Sequence, residues 1–449
     1  MFVVLSVDIL LKAFKAGYLN YAIYINDGEN IMNKISFIIL SYNEKKITQE
    51  CIDSIRQNCE NIDYELIVID NASSDGSAEW LSEQTDIKVK LNHQNVGFPK
   101  GCNEGIELAD PNSDIFLLNN DTLVPPNAVE VLQEALYSCP LVGAVGPMSN
   151  ACSNYQAIEE INAKPQDYLR LGEKYIHKST GKEYEKKLYL VAFALLIKRE
   201  VINKIGLLDE RFSPGNFEDN DLGLRIQQAG YENILCHNSF IFHYGSQSFK
   251  KKRVHDILKR NCEKFEEKWG MHPYAYSYIH FETVAILKSV LQREEVSILE
   301  VGCGTGATLA HLHYEYPDME LHGVERNEIA ANCAASYFDI VKGDIEDPNV
   351  LGKLETYDYI LLEGVLEFVK KPVDTLRKMK SLLRKNGMII GSIHDVASLE
   401  RVFDREKRCW YTPEAIIELA NEAECRIVDM SFNRLNGQVN QYIFSMKGN

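Results

Sequence analysis

The sequence predicts two α/β units in tandem, each built on a largely parallel sheet, and three observations carry that reading. The first half repeats a short apolar run, a polar turn and a helical period. A second series of the same kind opens at Val296-Ser297-Ile298-Leu299-Glu300 and runs straight into a glycine-rich turn. The chain of 449 residues also exceeds what one ordinary core holds, so two or three domains are expected.

In the first half, Ile35 to Leu40 is β-rich and ends at Ser41-Tyr42-Asn43-Glu44, after which Ile47, Cys51, Ile52 and Ile55 recur at helical spacing. The pattern repeats with Leu66 to Ile69, which closes on Asp70-Asn71-Ala72-Ser73-Ser74-Asp75-Gly76 before a helix from Ser77 to Glu83. Lys88 to Leu91 makes an outer strand, followed by Asn95-Val96-Gly97-Phe98 and a helix from Lys100 to Leu108. Ile115 to Leu118 then ends in Asn119-Asn120-Asp121-Thr122. Parallel strands with polar carboxyl ends line one rim, so Asn43, Asp70, Asn95 and Asp121 are expected together where open α/β sheets place ligands. The Asp121 carboxylate suits a hard cation bridging to a phosphorylated ligand, because such ions favour oxygen donors. Taken alone, the same residues also read as an Asx turn closing a strand.

Composition narrows the function classes. With 45% apolar and 25% charged residues the chain is globular, and a formal charge of −17 speaks against a nucleic-acid partner. Lys250-Lys251-Lys252-Arg253 is the one basic run, and it has two readings: a solvated helix start, or a contact with an anionic membrane surface or lipid diphosphate. Eleven cysteines lie scattered, with no C-x-x-C pair and no Cys/His set at zinc spacing, which fits reduced thiols and a cytoplasmic protein. Residues 1–31 lack both the unbroken apolar run of a spanning helix and a signal-peptide cleavage site. Because Met32 directly precedes the first strand, residues 1–31 are expected to be an extension ahead of the natural start.

The rim segments Phe37 to Asn43, Val68 to Gly76, Asn95 to Phe98 and Leu118 to Asp121 together resemble the nucleotide-sugar half of family 2 glycosyltransferases with the GT-A fold, especially their rhamnosyltransferase-like branch. The resemblance implies that Ser41, Asn43, Asp70, Asn95, Gly97, Asn120 and Asp121 bind a nucleotide-sugar donor. It further implies that Asp121, in the family's D-x-D-type motif with Asn119 at the first acidic position, holds a divalent cation, Mg or Mn. Phe217-Glu218-Asp219-Asn220-Asp221-Leu222-Gly223-Leu224-Arg225 is similar to the family's E-D-x-D-L-x-x-R segment. By that likeness Asp219 is the base of an inverting transfer and Glu218 positions the acceptor. Without it, the segment reads as an acidic helix start favoured by the dipole. His243 matches a further metal ligand of some members and equally reads as a satisfied core histidine. Residues 150–187, polar and without periodicity, are expected to form a mobile loop on the acceptor side.

Val254 to Trp269 reads as a charged amphipathic helix broken by Gly270-Met271-His272-Pro273, and Tyr274, Tyr276 and Tyr278 as a short aromatic bridge. The expected domains are therefore 32–272 and 273–449. Gly302, Gly304 and Gly306 follow G-x-G-x-G, whereas a dinucleotide fingerprint needs G-x-G-x-x-G, so NAD is disfavoured. With Glu300 before the first glycine, this second half resembles class I S-adenosylmethionine-dependent methyltransferases of Rossmann-like fold. The resemblance implies that Glu300, Gly302, Gly304, Gly306, Glu325, Asp344, Ile345 and Glu363 surround S-adenosylmethionine, with Glu325 on the ribose hydroxyls and Asp344 at the adenine amino group. Phe368 stands where relatives often carry a basic residue, while His394 and Asp395 offer either a base or metal site or a cap for the next helix.

The resulting expectation is a bifunctional enzyme: inverting sugar transfer to a glycan or lipid-linked glycan acceptor, followed by methylation of that glycan. It would act in the cytoplasm or against the inner face of the plasma membrane. The alternatives are an active glycosyltransferase with a cofactor-binding but non-catalytic methyltransferase-like domain, and a carbohydrate-binding protein without either activity.

Overall fold

The structure, a computed structural model, describes residues 32–176, 181–245, 251–291, 293, 295–394, 411–435 and 438–448. Residues 1–31, Lys250 and Asp395, on which expectations were placed above, lie outside this set. Contacts divide the chain after Pro273 into two compact units.

The first unit is built on an eight-stranded sheet. In chain order its strands are β1 (Ile35–Ser41), β2 (Tyr64–Asp70), β3 (Ile87–Leu91), β4 (Asp114–Asn119), β6 (Val142–Met148), β7 (Tyr184–Lys187), β8 (Ala194–Ile197) and β9 (Glu232–Phe240). Their spatial order is β3-β2-β1-β4-β8-β6-β9-β7. A separate ribbon pairs β5 (Thr122–Leu123) with β10 (Phe242–His243). Strands β1 to β4 are parallel, and the apolar runs of β1, β2 and β4 are buried on both faces, as strands between covering layers must be, while β3 lies at the partly exposed edge. Register does the positioning. Ser41 pairs with Asp70, and Leu40 with Asn119, so the polar ends of β1, β2 and β4 finish level on one rim.

Residues 150–187 depart from the expected loop. Tyr168–Tyr175 is helical, and β7 adds antiparallel to β9 at the sheet edge. The polar sequence hid this strand because its buried positions are Glu185 and Lys187, which pair with each other at 2.7 Å instead of presenting an apolar face. Strands β6 and β9, unassigned from the sequence, complete the sheet's second half.

The unit ends on the helix Lys251–Trp269, whose Phe265 and Trp269 are buried. Beyond it, the start of the expected aromatic bridge, Pro273–Ser277 with Tyr274 and Tyr276, is a short helix.

The second unit carries a seven-stranded sheet with the order β13-β12-β11-β14-β15-β17-β16. These strands are β11 (Ser297–Val301), β12 (Glu320–Glu325), β13 (Asp339–Lys342), β14 (Tyr357–Glu363), β15 (Leu383–His394), β16 (Cys425–Leu435) and β17 (Gln438–Gly448). β11 to β15 are parallel, and β17 runs antiparallel to both β15 and β16. Glu325 and Glu363 sit at the carboxyl ends of β12 and β14, the second opposite Ser392. Among the described residues no helix is long and apolar enough to cross a membrane.

Candidate functional sites

In the first unit the rim loops are tied to one another. Asn43 takes a left-handed backbone at φ 57°; its side-chain oxygen accepts the Ser74 amide at 2.9 Å and its own amide donates to Ser73 Oγ at 2.7 Å. Asp70 is buried; Oδ2 accepts the Ser73 amide at 2.8 Å, while Oδ1 has no hydrogen-bond partner. Asn95 accepts the Gly97 amide at 2.9 Å and lies beside Asn71, a buried residue the sequence reading passed over, which also meets Asn92. Ser41, expected to bind the donor, ends β1. Its hydroxyl is buried against Thr48, to whose oxygen Asn120 also donates.

Gly97 is fixed by space as well as by φ, which is 87°. A Cβ there would lie 2.2 Å from Ser213 Oγ and 3.0 Å from the Pro214 Cα, so only glycine lets the two loops meet. The segment it touches leads four residues later into Glu218, linking the donor-side loop to the acidic pair.

Asp121 turns the chain between β4 and β5, and the ribbon sets His243 opposite Thr122. His243 Nδ1–H donates to the Ala151 carbonyl at 2.6 Å, which presents Nε2 to Asp121 Oδ1 at 3.1 Å. Asn119 approaches the same nitrogen at 3.5 Å, and the Phe193 ring stacks on the imidazole at 5.1 Å. Burial opposes a charge on His243, but the Asp121 carboxylate more than offsets this and raises its affinity for a proton. The arrangement fits a cation. Cis donors around a small octahedral ion with bonds of about 2.1 Å stand about 3 Å apart, close to the observed separation.

Glu218 and Asp219 open the helix Glu218–Gln228. Burial and the charge of Asp219 push the Glu218 carboxyl well up, and its Oε2 has no hydrogen-bond partner. Burial pushes Asp219 up to about 6, partly countered by amides of Asn220 and Ala192. Asp121 and Asp219 are thus bracketed by the same two segments. Ala151 binds His243 while its neighbour Cys152 feels the charge of Asp219; Phe193 stacks on His243 while its neighbour Ala192 bonds Asp219. The other acid of the segment, Asp221, is structural: fully buried, it accepts from Arg225 at 2.9 Å and Trp269 Nε1 at 3.0 Å and pairs with Lys268.

In the second unit Gly302, Gly304 and Gly306 all take positive φ, and a Cβ on Gly304 would lie 2.7 Å from the Tyr276 carbonyl. The turn is closed by Glu325, which accepts the Gly304 amide at 2.9 Å and the Asn327 amide at 2.7 Å. Burial raises Glu325, and it raises Glu300 further, helped by the charge of Glu363. Glu363 is pushed up to about 8 by burial; Ser392 donates to it at 2.5 Å and His280 Nδ1 stands 3.4 Å away. Glu300 Oε2 and Glu363 Oε1 are buried without hydrogen-bond partners. Three crowded carboxyls, two orphaned oxygens and close glycine backbone fit a ligand carrying positive charge. Asp344 is exposed beyond β13 and accepts the Glu346 amide at 2.8 Å, whereas Ile345 is buried in the core. His394, at the end of β15, bonds Glu367 through Nδ1 at 3.1 Å; the Arg326 guanidinium lies over Phe368 at 5.7 Å. Glu367 and His280 carry no expectation above, because only the folded register brings them to His394 and Glu363.

Comparison with known proteins agrees with both halves. The profile of Glycosyl transferase family 2 matches residues 36–206, and that of a methyltransferase domain matches residues 249–430. The second match begins in chain that packs within the first unit, since Asn261 and Trp269 are bonded to Phe212 and Asp221. The chain is 25% identical over 257 residues to an uncharacterized protein of Sinorhizobium fredii, covering 54% of this chain and 28% of the relative. It is 24% identical over 247 residues to a dolichyl N-acetyl-alpha-D-glucosaminyl phosphate 3-beta-D-2,3-diacetamido-2,3-dideoxy-beta-D-glucuronosyltransferase of Methanococcus voltae, covering 52% and 73%. It is 28% identical over 106 residues to a malonyl-[acyl-carrier protein] O-methyltransferase of Halalkalibacterium halodurans, covering 22% and 39%. The chain thus spans less than half the length of the first and third of these relatives. Both units are α/β, a GT-A unit followed by a Rossmann-like methyltransferase unit. The chain is a transferase that joins a glycosyl transferase family 2 domain to a methyltransferase domain.

Proposed function

We propose that the chain is a bifunctional enzyme that transfers a sugar, with inversion, from a nucleotide-sugar donor to a glycan or lipid-linked glycan and then methylates that glycan. Residues 32–272 would carry the first activity and 273–449 the second. The observation that carries the reading is the bracketing of Asp121–His243 and Asp219 by the pairs 151–152 and 192–193, which supports one shared cleft.

In that cleft Asn43, Asp70, Asn95 and the Gly97 backbone hold the donor's nucleoside side, and Asp121 with His243 holds the cation. A divalent ion, Mg or Mn, held there would supply positive charge against the diphosphate leaving group. Asp219, raised to about 6, is ionised near neutral pH yet basic enough to take the proton of the attacking hydroxyl. Glu218, which keeps its proton, donates a hydrogen bond that orients the acceptor. A relative named for a dolichyl phosphate sugar supports a lipid-linked acceptor. That acceptor would place the work at the inner face of the plasma membrane, approached from the cytoplasm.

In the second unit Glu325, Glu300 and the glycine turn hold S-adenosylmethionine, with Asp344 toward its adenine. Bound there, the cofactor supplies an electrophilic methyl group. His394, oriented by Glu367, accepts the proton of the glycan hydroxyl. Phe368 beneath Arg326 favours a second reading, in which the domain binds the cofactor without turnover. The test is incubation of the full chain with nucleotide sugars, a divalent cation and labelled S-adenosylmethionine on total glycolipid. Labelled sugar and labelled methyl in one product support the bifunctional reading, and sugar alone supports the second.

A further inference from the structure

Among the described residues one group of three metal-capable side chains has its ligand atoms within 4.8 Å of one another: Cys262, Glu266 and His272. We propose that these residues form a zinc site that clips the end of the helix Lys251–Trp269, separate from the cation expected at Asp121. Cys262 and Glu266 lie one turn apart on one helix face. The helix stops at Gly270, whose φ of 62° reverses the chain, and its amide closes on the Glu266 carbonyl at 2.8 Å. His272 is thereby folded back onto the same face. Its Nε2 lies 3.5 Å from Cys262 Sγ and 3.7 Å from Glu266 Oε1.

The sulfur–nitrogen separation suits the ion, and the carboxylate at 3.7 Å has only to close in slightly. Around tetrahedral zinc, with bonds of about 2.3 Å to sulfur and about 2.0 Å to nitrogen and oxygen, ligand atoms stand about 3.3 to 3.6 Å apart. A thiolate, an imidazole and a carboxylate select zinc over the magnesium or manganese that an oxygen-rich site prefers. Binding forms a sulfur–zinc bond as the Cys262 thiol proton leaves to solvent. No change in oxidation state is involved. Cys262, Glu266 and His272 do not follow a zinc-finger spacing, which is why the sequence showed no such site.

The clip has a target. From the position next to Cys262 on the same helix, Asn261 Nδ2 donates to the carbonyls of Phe212 at 2.5 Å and Gly215 at 2.9 Å, in the loop that leads to Glu218. Zinc would hold this helix, and with it that loop, in place.

The experiment titrates the chelator-treated full chain, kept reduced, with Zn(II) alone by calorimetry, and with Co(II) as an optical probe. The wild type should bind one more zinc equivalent than Cys262→Ser or His272→Gln. Losing a ligand should weaken that site by more than about a hundredfold, beyond what disturbing a supporting shell costs. Cobalt should give a thiolate charge-transfer band that Cys262→Ser lacks and Cys152→Ser keeps. Equal zinc stoichiometry in wild type and Cys262→Ser, or a band that survives that substitution, overturns the site. If both variants fail to fold, alkylation of wild-type Cys262 decides: zinc should slow it, and an unchanged rate overturns the proposal.

Discussion

His243 Nε2 faces Asp121 Oδ1 across 3.1 Å although 122 residues separate them in the chain. The β5–β10 ribbon brings them together, and the Ala151 carbonyl fixes which imidazole nitrogen looks inward. Asp121→Asn should therefore abolish cation-stimulated cleavage of the nucleotide sugar. His243→Asn should reduce it by more than about a hundredfold with a raised requirement for Mn(II), beyond what disturbing a metal's supporting shell costs. Cleavage measured against Mn(II) concentration checks both.

The acidic pair makes transfer depend on pH in a stated direction. Asp219 works only as the carboxylate, and burial sets its proton loss at about 6. The rate at low donor concentration should fall as pH drops through about 6 and level off above it. Asp219→Asn should remove the rate itself, whereas Glu218→Gln, still able to donate a hydrogen bond, should keep part of it.

Gly97 is where the donor loop and the Glu218 loop touch. Gly97→Ala combines a backbone at φ 87° and ψ 171°, a region almost confined to glycine and costing about 1–3 kcal/mol for a residue with a Cβ, with a contact of 2.2 Å to Ser213. The expected outcome is a lower melting temperature and lost stabilisation by nucleoside diphosphates. S-Adenosylmethionine should still stabilise the second unit. Thermal-shift curves with each ligand read both.

Glu363 makes the second unit's stability depend on pH. Its folded value of about 8 lies above the ordinary 4.5, so the folded state keeps a proton the unfolded chain releases. Stability from this group is present below 4.5 and is lost as pH rises through about 8. Glu363→Gln should remove that loss. Its melting temperature should exceed the wild type's by several degrees above pH 8, where 1 kcal/mol moves a domain of this size by about 2–4 °C, with the gap closing near pH 4.5.

The rim of the first unit was legible because β1, β2 and β4 each carry an apolar run that ends abruptly in Ser41, Asp70 and Asn119. The glycine turn and Glu325 were legible for a similar reason: positive φ and close backbone approach restrict the residue type. What stayed hidden depends on partners distant in sequence. β7 buries an ion pair instead of apolar side chains, Ser41 turns inward to Thr48, and His394 meets Glu367 only through strand register. Phe193 and Ala151 reach His243 by a ring face and a carbonyl, which carry no residue-type signature.

The central claim is that two independent active sites share one chain, and paired loss-of-function variants test it most directly. Asp219→Asn and Glu325→Ala are assayed side by side for sugar transfer and for S-adenosylmethionine affinity by calorimetry. The first should lose transfer and bind the cofactor as the wild type does; the second should transfer sugar normally and lose the cofactor. Transfer that survives in Asp219→Asn, or cofactor binding that survives in Glu325→Ala, would contradict it.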